Sequence, residues 1–289
     1  MTRLSVRKTY KLYINGEFPR TESGRYYEVR AEGGELLANA SRGSRKDLRN
    51  AIAAARKAQG GWSGKTAYNR GQILYRIAEV CEARQAELAD ELRRQGSSAT
   101  DARKEVEAVI DRWVYYAGWS DKYTQVFGSV NPVAGPYYNF TVPEPTGVVG
   151  VVAPEEPALL GLVSRIAPAI VGGNTVVAIT SEARPLAAIT MGEVFQTSDV
   201  PGGVINLVSG LKSELVPWIA SHMDVNAIDT SGVAADAVAA AQKTAAENVK
   251  RVIHFDGTRL GWTDARLSQG PYAIFDFQES KTVWHPIGM

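Results

Sequence analysis

One cysteine, three histidines and four methionines in 289 residues leave few of the side chains used by thiol and metal chemistry. Cys81 stands alone, which excludes an internal disulfide. His222, His254 and His285 share no zinc-ligand spacing, so surface or packing roles are expected of each. A net charge of +1 gives no electrostatic footprint for nucleic acid or an anionic membrane. No apolar run approaches the roughly 20 residues that span a bilayer. The opening MTRLSVRKTYKLYING lacks the apolar core of a signal peptide, and a soluble cytoplasmic protein is expected. What is present is ordinary globular material, 45% hydrophobic and 22% charged, enough for one large domain or two modest ones.

The most informative stretch is 147–185, GVVGVVAPEEPALLGLVSRIAPAIVGGNTVVAITSEARP. Residues 148–153 form the uninterrupted apolar run of a strand buried on both faces. Leu159, Leu160, Leu162, Val163, Ile166 and Ile170 then follow a helical spacing, with Ser164 and Arg165 off the stripe. Gly172, Gly173 and Asn174 stop that helix, and 175–179 is a second β-branched run. Strand, helix and strand make a βαβ crossover. Further strands are expected over 204–208, 225–229 and 249–255, with helices over 186–195, 215–221 and 234–248. The fold class is therefore α/β: a parallel, doubly wound, five-stranded sheet. Ligands of such sheets sit beyond the carboxyl ends of the strands, here 153–156 and 180–182.

Before this sheet, 10–14 alternates and reaches Asn15-Gly16, a hairpin signal, with a return through 26–29. Ser44 and Asp47 resemble a capping box ahead of a helix ending near Gly60-Gly61. One long helix is expected over 68–94, striped by Ile73, Leu74, Ile77, Cys81, Leu88 and Leu92. On that stripe Cys81 reads as a buried core thiol rather than a nucleophile. A further helix over 101–123 carries Trp113 and Tyr116 at core spacing. From 130 the signals turn to β. Prolines 132, 136, 143 and 145 cannot serve a central ladder, which places these strands at an edge or projecting from the body. The tail 272–284 reads as a long extended run whose natural partner is 137–142.

These residues resemble the aldehyde dehydrogenase superfamily over nearly the whole chain. KLYINGEFPRTESG is similar to the family's opening hairpin. PTGVVGVVAP, IAPAIVGGNTVV, Ser181-Glu182, VPGGVINLVSG and HMDVNAI follow its NAD-binding domain in order and spacing. FQESKTVWHPIG is similar to its C-terminal oligomerisation strand. The resemblance implies a Rossmann-like NAD-binding domain over 1–129 and 146–259, with oligomerisation strands over 130–145 and 271–289. It also implies that the catalytic domain, which in the family separates these parts and carries the nucleophilic cysteine, is absent.

The same resemblance puts Glu156 at the family's active-site asparagine, Phe255 at its general base and Ile179 at its ribose-gripping lysine. A carboxylate opposes a developing oxyanion, and a phenyl ring accepts no proton. Of the phosphate-side glycines Gly232 remains, followed by Val233, Ala234 and Ala237; the helix expected over the adenine reads GLKSELV. The candidate cofactor residues are thus Ser181, Glu182 and Gly232, for NAD or NADP if either binds, with Lys212 as a further phosphate contact. The plainer expectation for Glu182 is a cap on the following helix, supported by Ser181. Adjacent Glu155 and Glu156 read as solvated. The implied relative is the non-catalytic second half of two-part aldehyde dehydrogenases. Its expected role is assembly, through 137–142 and 272–284, with a full-length aldehyde dehydrogenase or a second copy. An unusual NAD(P)-dependent dehydrogenase and a dinucleotide-binding module without chemistry are the alternatives.

Overall fold

The structure is a computed structural model and describes residues 8–257 and 261–288. Residues 1–7, 258–260 and 289 lie outside the described residues.

Five short parallel strands form the centre: β5 (Val148–Val152), β6 (Thr175–Ile179), β7 (Ile205–Val208), β8 (Ala227–Asp229) and β9 (Arg251–Ile253), in the order β7-β6-β5-β8-β9. These are the five expected strands, β6 with the expected bounds and the others shortened by one to four residues. Every residue of β5 and β6 is buried, as β-branched runs covered on both faces must be. Val149, Val151, Val176 and Ala178 face one core, which includes Trp113 of α4 (Ala99–Trp119), α6 (Ala158–Val171) and Phe195 of α7 (Leu186–Gln196). Val148, Val152, Val177 and Ile179 face the other, built on α1 (Arg45–Ser63), α8 (Lys212–Ser221) and α9 (Ala235–Ala246). Reversal of strand order around β5 opens a crevice between the ends of β5 and β8.

Several expectations are corrected. The helix over 68–94 is two, α2 (Ala67–Ala83) and α3 (Gln85–Arg94), broken at Arg84, whose guanidinium joins Glu87 to Glu193 of α7. Asn15 and Gly16 do turn the chain with positive φ, and Ile14 bonds Glu17 across the turn. The return strand β1 (Tyr26–Arg30), however, pairs with β2 (Leu36–Ser41). Tyr13 instead exchanges hydrogen bonds with Leu207 at 3.0 and 2.7 Å, covering the β7 edge. Ser44 forms the expected capping box with Asp47, and α1 runs on to Ser63.

Helix α6 is buried on all sides, Ser164 and Arg165 included. Its α4 neighbour supplies the cap that its own N-terminus lacks: the Glu105 carboxylate accepts from Leu159 and Leu160 N–H at 2.9 and 3.0 Å.

Outside this body stands a three-stranded antiparallel sheet, β10-β4-β3, of β3 (Ser129–Asn131), β4 (Tyr137–Pro145) and β10 (Gln278–Pro286). The tail pairs with β4 as expected, from Gln278 opposite Pro145 to Pro286 opposite Tyr137. Two corrections attach to it. Strand β4 is the middle strand, and it tolerates Pro143 and Pro145 because β3 reaches only Asn139 to Thr141. The tail is not extended throughout: between α10 (Ala265–Ser268) and β10, Tyr272–Phe275 is a helical turn, α11, that buries Ile274. Among the described residues no helix is long and apolar enough to cross a membrane.

Candidate functional site

The ends of β5, β8 and β9 and the loop after β6 surround a cavity of about 1160 Å³. Its wall includes Glu155, Glu156, Glu182, Lys212, Gly232 and Phe255. The strand ends foreseen as the ligand position therefore do meet at one opening, and the three candidate cofactor residues lie at it or beside it.

Their partners differ from the expected ones. Glu182 does not cap the helix that follows it; its carboxylate accepts from Lys212 N–H at 2.8 Å, at the start of α8. Ser181 donates to the Glu155 carboxylate at 2.6 Å and accepts from Arg184 N–H at 2.9 Å. Glu155, read from sequence as solvated, is half-buried and pairs with Lys212. It also accepts from Ala183 N–H at 3.0 Å and Glu182 N–H at 3.3 Å. Burial alone would raise its carboxyl, but Lys212 and these donors outweigh burial and hold it below the ordinary 4.5. Glu156 is exposed, as expected, and meets Arg184 at 2.6 Å.

Gly232 has a packing reason of its own. A Cβ there would lie 2.0 Å from the Ala153 carbonyl oxygen, and its N–H bonds Val152 O at 2.9 Å. Only glycine lets the loop after β8 lie against the end of β5. Phe255 packs on Trp262 with ring centroids 4.5 Å apart, and its N–H donates to Ser231 Oγ at 2.9 Å. Ile179 is fully buried in the second core.

Cys81 does not line this opening. It is fully buried, 3.9 Å from the Met191 sulfur, and burial pushes its thiol up to about 12. A thiol so placed is a core residue. The described residues contain no group of three or more His, Cys, Asp or Glu placed to hold a metal ion.

Sequence reasoning missed a buried ion pair at the end of β8. Arg165 of α6 donates Nε–H to Asp229 at the end of β8 at 2.5 Å, both side chains being almost completely buried. Asp229 also accepts from Ser231 N–H at 2.9 Å. A lone Asp closing the apolar VNAID run and a lone Arg in the apolar α6 run were the available signals.

Comparison with known proteins gives a consistent result. Residues 19–257 match the model of the aldehyde dehydrogenase family. Mitochondrial benzaldehyde dehydrogenase of Antirrhinum majus is 33% identical over 247 residues, 84% of this chain and 46% of that protein. Mitochondrial aldehyde dehydrogenase family 2 member B4 of Arabidopsis thaliana is 34% identical over 230 residues, 77% of this chain and 42% of its own length. Among solved structures, the NAD+ complex of an aldehyde dehydrogenase from Bacillus cereus superposes with a TM-score of 0.80 at 28% identity, over 86% of this chain and 50% of the other. The chain thus spans about half the length of the relatives it matches, and its five-stranded sheet is that of their NAD-binding domain. By sequence and by fold, the chain belongs to the aldehyde dehydrogenase family, a family of oxidoreductases.

Proposed function

We propose that this chain is a non-catalytic member of the family that acts by assembly, docking on a full-length aldehyde dehydrogenase subunit or on a second copy of itself. The observation that carries this reading is the β3-β4-β10 sheet. Its β10 edge has no strand partner among the described residues, and unpaired strand edges invite strand addition. Tyr138 and Val130 on one face and Tyr137 and Trp284 on the other leave large apolar side chains between 43% and 64% exposed. Exposed apolar surface of this kind marks an interaction site.

The residues at the cavity support the non-catalytic half of the reading. Phe255 stands where the family resemblance puts the general base, and Glu156 where it puts an oxyanion donor. Cys81, the only cysteine, is sealed in a core. The second reading, NAD(P)-dependent aldehyde oxidation, is favoured by one feature, the open cavity at the strand ends.

Two measurements separate them. Sedimentation of the purified chain, alone and co-expressed with a full-length aldehyde dehydrogenase from the same genome, should show a dimer or a mixed complex that Trp284→Ser with Tyr138→Ser weakens. A chain that stays monomeric and ignores the full-length subunit refutes assembly. NADH formation with a panel of aldehydes should remain at background, and turnover would establish the enzyme reading.

A further inference from the structure

Ser181, Glu182 and Gly232, which the family resemblance assigns to a cofactor, are all engaged around Lys212: Gly232 O meets its ammonium, Glu182 its backbone N–H, and Ser181 the Glu155 carboxylate that pairs with it. The Lys212 ammonium donates to Ala153 O at 2.6 Å and Gly232 O at 3.1 Å, and its third direction is taken by the Glu155 carboxylate. An ammonium has three N–H donors and no acceptor, so all are satisfied. Ser181 and Ala183 N–H hold Glu155 in place, and Glu182 fixes the Lys212 backbone. The lysine side chain is only 13% exposed.

We propose that this site is a cation cage filled from within by Lys212, and that it excludes the dinucleotide for which the fold is otherwise shaped. The two carbonyls belong to the ends of β5 and β8, the reversal point where open α/β sheets take their ligands. Carbonyl oxygens and carboxylates attract an ammonium and repel a phosphate. A pyrophosphate entering here would have to displace Lys212 from Glu155, leaving that carboxylate without its counter-ion beside the new negative charge. The alternative anchor, the start of α9, carries Asp236 in its first turn, which already answers the helix dipole. The residues present do not fit NAD or NADP. They fit a primary ammonium, and the chain supplies its own.

Calorimetric titration of the full chain with NAD and with NADP should give no binding tighter than about 1 mM. Lys212→Ala should melt about 5 °C below wild type. Propylammonium, which replaces the deleted stem and head, should recover much of that loss while leaving wild type unchanged. Tetramethylammonium, without N–H donors, should not. Lys212→Met keeps the stem and removes the charge, and it stands in if Lys212→Ala does not fold; it too should melt lower. Dinucleotide binding by wild type overturns the proposal. So does a Lys212→Met variant as stable as wild type, or a propylammonium effect no larger than that of tetramethylammonium. None of these outcomes depends on whether the chain assembles.

Discussion

The Arg165–Asp229 pair makes a quantitative claim that a double-mutant cycle can test. Asp229 is fully buried and Arg165 nearly so, at 0% and 3% side-chain exposure. Deleting one partner strands a charge in the interior, at a cost of about 3–5 kcal/mol. Replacing both by apolar groups removes the stranded charge and leaves mainly a packing defect, about 1–2 kcal/mol. Asp229→Ala and Arg165→Met should therefore each lose several kcal/mol, while the double variant loses less than either.

The two single variants should also differ. Arg112 of α4 lies close enough for Arg165 to add to the burial that lowers its pKa. Removing Asp229 leaves two guanidinium groups facing each other, whereas removing Arg165 relieves Arg112. Asp229 also loses its bond from Ser231 N–H, so Asp229→Ala should be the worse variant. With a urea m-value of about 3 kcal/mol/M, a 4 kcal/mol loss moves the midpoint by about 1.3 M, well within the resolution of a denaturation curve. If the double variant loses the sum of the two single losses to within about 0.5 kcal/mol, the residues are uncoupled and the account is wrong.

Three further outcomes follow from single sites. Cys81, buried and with its thiol pushed up to about 12, should resist iodoacetamide at neutral pH in the native protein and react fully once urea unfolds it, as mass spectrometry would show. Glu105→Ala removes the cap from α6 and should lower unfolding free energy by about 1 kcal/mol, read by denaturation followed by circular dichroism. Lys250 donates to His222 O and Val225 O, and burial lowers its pKa from 10.5 to about 8. Between those values the unfolded chain binds a proton that the folded chain does not, so stability should rise with pH from about 8 until the tyrosines of the unfolded chain ionise near 10. Lys250→Met should flatten that rise, and an unchanged slope would exclude Lys250 as its source.

The large sheet was legible because its signal is local. A strand covered on both faces must be apolar at every position, and VVGVV and TVVAI are so within five residues each. The break at Arg84 had no such signal. No glycine or proline marks it, and the turn is held by Glu193, more than a hundred positions away. The helical turn at Tyr272–Phe275 was masked by the β-like YAIFDF composition; burial of Ile274 and Phe277 against the α4–α6 core decides it. At the cavity, residue identity was legible and partnership was not. Ser181, Glu182 and Lys212 were singled out, and they lie at or beside one opening. That the ammonium meets Ala153 and Gly232 carbonyls, contributed by two different strand ends, is a fact of sheet order.

Packing also explains how the chain between β9 and β10, which gives Phe255 and Trp262 to the cavity wall, connects the site to the small sheet. Arg112 reaches from α4 to bond Ser164 Oγ and Ser268 O, each at 2.7 Å, Ser268 Oγ at 2.8 Å and Trp262 O at 3.3 Å. That single guanidinium ties α6 to the segment that follows β9. Held there, Trp262 lies against Phe255, and a Cβ on Gly257 would stand 1.8 Å from its indole nitrogen. Farther along, Phe277 O accepts from Asn174 Nδ2 at 3.0 Å and from Thr146 Oγ at 2.8 Å, which aims Gln278 into the register with Pro145. The apolar side chain in the place of the family's general base is thus packed against the same segment that delivers β10 to its sheet. Restoring a carboxylate with Phe255→Glu would bring a charge against Trp262 and disturb that delivery. Residue 255 and the exposed sheet are therefore coupled through one stretch of packing, and Phe255→Glu should loosen β10.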